Sequence, residues 1–414
     1  MDVSDMQQVM STAEAVQEYA EQHLFDGFGL MLSGIDCQTN KPFDKDFITQ
    51  EKVPRRAMFD PWSFWTYEDS IMTAGHYIDG LVLKYEVTGD NTALSRAKQV
   101  WHKCRDVFYQ SQVYGGLGCF LRPYGGFDEM EKFGEPLGTD QAAPLCCGAY
   151  RLKQHVPKEE ASDIVRIMTN TLQWYADQNY TYRYYKSLNH GWSPPLHHAA
   201  SFYLPAIAFA SQETGEQRWH DDLSFYLQRQ LTDPTFTENE RELWWGFKQG
   251  GLLVLKDILA DQFEQYFTPA ILNRMYEEVQ DALASYNEQG MIKRAHPESA
   301  DPDFQPYMKP GFDRYKGMGH PRSHWVHAGR SRPRHEATVL ASLAALGVEG
   351  AAEKAAEIFC LRQRVPEDFT HLLSEDYKKL PEAVHIYARS AGAVMLDWWR
   401  DVWLLKHAMD NDQR

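Results

Sequence analysis

Apolar positions recur along this chain every three or four residues, the spacing that lines one face of an α-helix. About twelve such stretches follow one another and pair off into six consecutive units. One member of each pair carries a polar stripe, as in Ala270-Ile271-Leu272-Asn273-Arg274-Met275-Tyr276-Glu277-Glu278-Val279. The other is apolar nearly all round, as from Ala199 to Ala210, the pattern of a helix buried on every side. Striped, outer helices are predicted at 11–25, 91–110, 158–178, 217–230, 268–288 and 350–362. Inner helices are predicted at 64–87, 138–154, 197–213, 243–260, 335–346 and 384–407. Ser11-Thr12-Ala13-Glu14 reads as a capping box that opens the first of them.

The connections alternate in length. Turns leaving the inner helices are short, as at Thr88-Gly89-Asp90-Asn91 and Thr214-Gly215-Glu216, where Gly suits a left-handed C-cap and the acid suits the next helix start. Connections into the inner helices are long: 34–62, 112–136, 179–196, 231–242, 289–333 and 363–384. With alternate helices in an inner and an outer ring, all long connections fall on one face, at the inner N-termini. Long loops on a rigid scaffold carry function, and helix N-termini favour anions. Helix pairs that cannot bury their faces alone must stack or close. Six pairs close into an (α/α)6 toroid, so the expected fold is all-α, a single domain over 1–414, with an irregular α-solenoid as the other arrangement.

Composition narrows the partners. A net charge of −16 argues against nucleic acid and against an anionic membrane surface. No apolar run approaches the ~18 residues of a membrane span, and Met1-Asp2-Val3-Ser4-Asp5 lacks the features of a signal peptide, so a cytoplasmic location is expected. Aromatic residues make up 13%, with 12 Trp and 22 Tyr, enough to pack a core and also to line a sugar cleft. The six cysteines form no C-x-x-C pair and read as buried small hydrophobes. With no H-E-x-x-H signature either, no metal and no cofactor is expected. Oligomeric state is left open, a homodimer included.

Four segments of the loop-rich face hold residues fit for chemistry. Residues 320–335 contain four Arg and four His with no acid, a local charge reversal that suits a carboxylate-bearing ligand. Its candidate ligand-binding residues are His327, Arg330, Arg332, Arg334 and His335; a solvated basic loop facing the acidic surface is the alternative. Around the third inner helix, Asn189-His190-Gly191-Trp192 and His197-His198 offer acid/base groups and a stacking ring. In the third segment Arg122 stands in a Gly-rich stretch and Asp140 opens the second inner helix. Asp140 serves either as a cap or, with a raised pKa in an aromatic pocket, as a general acid. In the fourth, Glu68 or Asp69 opens the first inner helix as a second carboxylate, and Trp245 adds an aromatic wall. Trp398-Trp399 lies mid-helix and reads as core.

Tandem helix pairs, T-G-[DE] turns, an aromatic mouth and an Asp opening an inner helix resemble the six-hairpin glycosidases. Among these the chain is most similar to the uronate enzymes: unsaturated glucuronyl and rhamnogalacturonyl hydrolases and related β-glucuronidases. The resemblance implies an acidic oligosaccharide substrate, with Asp140 as general acid/base, Glu68, His190 or His197 assisting, and Arg122 with Arg330, Arg332 and Arg334 on the carboxylate. Trp192, His198 and Trp245 then shape the sugar pocket. Asn189-His190-Gly191 also resembles the Asn-His-Gly motif of α-toroid polysaccharide lyases, which implies β-elimination at a uronate instead. A non-catalytic scaffold that binds an acidic partner through 320–335 is a third expectation.

Overall fold

A stretch in which every residue is buried, Ser70 to Lys84, forms most of one helix and shows how the molecule is built. The computed structural model describes residues 3–45, 61–180, 182–184, 190–192, 200–232, 243–280, 335–361 and 390–411. These residues are mostly helical. In chain order the elements are α1 (Val3–His23), β1 (Gly34–Asp36), α2 (Pro61–Tyr67), α3 (Ser70–Thr88), α4 (Asn91–Val113), β2 (Leu121–Pro123), β3 (Phe133–Pro136), α5 (Thr139–Lys153), α6 (Lys158–Ala176), β4 (Tyr182–Tyr184), β5 (His190–Trp192), α7 (Ala200–Thr214) and α8 (Gln217–Thr232). After a 3-10 turn (Leu243–Phe247) come α9 (Leu252–Leu259), a one-turn helix (Phe263–Tyr266), α10 (Pro269–Gln280), α11 (335–345), α12 (Ala351–Leu361), β6 (Ser390–Gly392) and α13 (Ala393–Asn411).

The inner helices pack side by side in succession. α13 lies against α3, α3 against α5, α5 against α7 and α7 against α9. The striped helices α4, α6 and α8 cover them from outside. Contact between α3 and α5 is close because two glycines face each other. A Cβ on Gly75 would stand 2.3 Å from the Leu145 nitrogen, and one on Gly148 would stand 2.9 Å from the Gly75 carbonyl. The short turns behave as read. Gly89 takes φ 73° and donates to the Tyr85 carbonyl, and Asp90 caps α4 by accepting from Thr92 N at 2.8 Å.

Three antiparallel two-stranded ribbons that periodicity did not reveal lie at the inner N-termini. β2 pairs with β3 just before α5, and β4 with β5 before α7. β1 pairs with β6, Gly34 opposite Gly392, and so ties an early loop to the start of α13. Strands of three or four residues carry no legible alternation, which is why sequence patterning passes over them.

Several expected boundaries are corrected. The first helix already runs from Val3, so Ser11-Thr12-Ala13-Glu14 lies inside it; Thr12 Oγ1 donates to the Gln8 carbonyl at 3.0 Å instead of capping. The helix expected at 64–87 is interrupted by a turn at Glu68-Asp69. The one expected at 243–260 is a 3-10 turn and a short helix, parted where Gly250 and Gly251 take φ of 95° and 89°. The last inner helix begins at Ala393, after β6, while 362–389 lies outside the described residues. Trp398 and Trp399 are core, as expected, and so are five of the cysteines, with Cys360 partly exposed. Among the described residues no helix is long and apolar enough to cross a membrane.

Candidate functional site

The turn that interrupts the first inner helix builds the best-defined polar site. Glu68 and Asp69 lie in it, immediately before α3. Next to α3, the β2–β3 ribbon delivers Arg122 and Glu135, and α5 begins with Thr139, Asp140 and Gln141. Arg122 is fully buried. Its Nη1 donates to Glu68 Oε1 at 2.9 Å and to the Tyr124 hydroxyl at 3.2 Å, with Glu135 Oε2 at 3.8 Å. Its Nε donates to Gln141 Oε1 at 3.0 Å. One guanidinium therefore faces two buried carboxylates, the arrangement that makes buried charge tolerable. Burial pushes the Tyr124 hydroxyl well above its ordinary range, so it stays protonated.

Gln141 joins the two helix starts. Its Oε1 also accepts from Gly138 N at 2.7 Å, and its Nε2 donates to the Glu68 carbonyl at 3.1 Å and to Asp69 Oδ1 at 2.5 Å. Asp69 is half-buried, and its own N–H donates to Ser33 Oγ at 2.5 Å. Asp140 is exposed in the first turn of α5, where Oδ1 accepts from Gln141 N at 3.1 Å. Two carboxylates, Asp69 and Asp140, thus stand at the N-termini of neighbouring inner helices over a rigid ionic floor. Of the two acids considered for α3, Glu68 is held inside by Arg122, and Asp69 is the one tied to the start of α5. Arg122 likewise is engaged by protein carboxylates.

The remaining expected residues fall as follows. His190 and Trp192 lie in β5, in register with Tyr184 and Tyr182 of β4. Trp245 lies in the 3-10 turn before α9. His335 is buried at the described start of α11. Asn189, His197, His198, His327, Arg330, Arg332 and Arg334 lie outside the described residues.

A second buried cluster was not expected. Arg400 of α13 donates from Nε to Asp401 Oδ1 (2.7 Å) and from Nη2 to Asp397 Oδ1 (2.8 Å) and Thr338 Oγ1 (3.1 Å). Its Nη1 reaches the Gln249 carbonyl at 3.2 Å, and His76 Nδ1 of α3 lies 3.4 Å from Asp397 Oδ1. Burial pushes the Asp401 carboxyl up to about 7 against the opposing pull of Arg400. The signal for this cluster was the D-x-x-R-D spacing at 397–401, which puts all three charges on one helix face. For Gln141 the signal was its place three residues after Gly138, the spacing of a capping box.

A polar cleft of about 360 Å³ opens at the opposite, C-terminal end of α3, α5 and α7, lined by Glu86, Arg151, Lys153, Glu213 and Asp257. Its cations are matched to its acids: Arg151 Nε lies 2.8 Å from Asp79 Oδ1, and Lys153 pairs with Glu213. Among the described residues no group of three or more His, Cys, Asp or Glu is placed to hold a metal ion. Comparison with protein-family models, curated proteins and solved structures finds no match.

Proposed function

We propose that the chain is an (α/α)6 toroid that hydrolyses glycosidic bonds of uronate-containing oligosaccharides, a β-glucuronidase-like glycosidase. The observation that carries this reading is the placement of Asp69 and Asp140 at adjacent inner-helix N-termini, joined through Gln141. Glycoside hydrolysis needs a pair of carboxyl groups, one to protonate the leaving oxygen and one to assist attack at the anomeric carbon. Helix N-termini add a field that favours the substrate's carboxylate. In this reading Glu68 and Arg122 brace the floor, while His327, Arg330, Arg332, Arg334 and His335 supply the clamp on the uronate. Trp192, Trp245, Asn189, His197 and His198 shape the sugar pocket.

The test is a panel of p-nitrophenyl β-glucuronide, p-nitrophenyl β-glucoside and a uronate polysaccharide, followed for nitrophenolate and for the ultraviolet absorbance of an unsaturated uronate. Release from the glucuronide alone is expected, and equal release from the glucoside removes uronate selectivity. A second reading, β-elimination, is favoured by the register of β4 and β5, which sets Tyr184 opposite His190, two residue types able to remove a proton. Growth of the unsaturated product without nitrophenolate release selects it.

A further inference from the structure

We infer that Gln141 is a positioning residue that holds Asp69 ready to act as the base of the carboxylate pair; this rests on the hydrolytic reading, in which Asp140 is the acid. Gly138 N–H and the Arg122 guanidinium can only donate, so the carboxamide oxygen of Gln141 must face them. The amide nitrogen is then obliged to face Asp69 and the Glu68 carbonyl. Arg122 cannot swing away, because Glu68, Tyr124 and Glu135 hold it.

A carboxylate that accepts an amide N–H is favoured in its ionised form. Among the described residues, the charged groups on the elements that meet at Asp69 include Glu68 on its own turn, Arg122 from β2, Glu135 from β3 and Asp140 from α5, with the guanidinium nearer to Glu68 than to Glu135. In the reaction Asp140 gives its proton to the glycosidic oxygen as that C–O bond breaks. Water forms the new bond to the anomeric carbon and loses a proton to Asp69. Exchange with solvent then returns the proton to Asp140 and removes it from Asp69.

Gln141→Glu isolates the donor. It keeps an acceptor for Gly138 and Arg122 and replaces only the N–H that faces Asp69. At neutral pH the expected result is a fall in kcat of about tenfold or more with KM little changed. Activity returns as the pH is lowered, when a proton shared by the two carboxyls restores a donor. A loss that merely follows unfolding would be matched by a fall in melting temperature over the same pH range, which is measured alongside. Independently of turnover, the 13C carboxyl resonance of Asp69, assigned with Asp69→Asn, is expected to titrate at higher pH in Gln141→Glu than in the native protein. An unmoved titration overturns the proposal. A moved titration without turnover of any glycoside retires the hydrolytic reading and keeps the link from Gln141 to Asp69. Should Gln141→Glu not fold, the side-chain amide protons of Gln141 in the native protein give the same answer. They must shift as Asp69 titrates and cease to do so in Asp69→Asn; amide protons that ignore the titration overturn the proposal.

Discussion

Arg122 has no solvent to fall back on, so its removal leaves Glu68 and Glu135 as buried charges with their common cation gone. Breaking such a set from one side costs about 3–5 kcal/mol. Arg122→Ala is expected to lower unfolding free energy by that amount in chemical denaturation, and a loss below about 1 kcal/mol, the ordinary value of an exposed pair, would contradict the buried geometry. Asp140 is the opposite case. It is exposed and holds one local backbone contact, so Asp140→Asn is expected to leave the melting temperature unchanged while removing turnover. Retained activity would take Asp140 out of the catalytic pair. Residue type alone could not separate these two fates. Both stood out in the sequence, Arg122 in a Gly-rich stretch and Asp140 at an inner-helix start, but whether a charge faces solvent or another charge depends on β2 and β3. Those strands are too short to leave a pattern. Glu135 was invisible for the same reason, and Glu68 was separable from Asp69 only by seeing which one Arg122 takes.

At the scale of elements, individual helices were read well where they are long and continuously apolar or evenly striped. α4, α5, α6, α7 and α8 all fall close to their expected ranges. The pattern failed where a helix is broken by local chemistry that periodicity cannot weigh, at Glu68-Asp69 and at Gly250-Gly251. The close seam of α3 and α5 was also hidden, since an isolated Gly inside a helix reads as a weak position rather than as a contact. Here the glycines set the distance between two inner helices and so the spacing of Asp69 and Asp140 above them. Gly148→Ala puts a methyl 2.9 Å from the Gly75 carbonyl, a backbone atom that cannot rotate aside. Overpacking of this kind costs about 1–3 kcal/mol although Ala is the better helix former. A lowered melting temperature is the expected outcome, together with reduced kcat because the two helix starts are pushed apart; a stabilised variant would mean that the seam is looser than described.

For the molecule as a whole, a buried polar cluster ties several of the described helices together. Arg400 links α13 to α11 through Thr338 and to the connection before α9 through Gln249, and Asp397 faces His76 of α3. Two carboxylates, Asp397 and Asp401, share this one guanidinium, and Asp79 of α3 adds a further favourable negative charge for it. Burial, with Asp397 adding to it, raises Asp401 from its ordinary 3.8 to about 7 against the pull of Arg400. A carboxyl whose pKa is higher in the folded than in the unfolded chain makes the folded state bind more protons between those values, so stability falls as pH rises. Its contribution is fully present below about 4 and is lost by about 7. Asp401→Asn carries no such proton. The variant is expected to show a constant offset, because the Thr338 hydroxyl loses its carboxylate acceptor, and a flatter melting-temperature profile between about pH 4 and pH 7. Comparison of the two profiles separates the causes: the offset reports the hydrogen bond, and the difference in slope reports the proton. Parallel profiles would show that the Asp401 proton is not the source of the pH dependence.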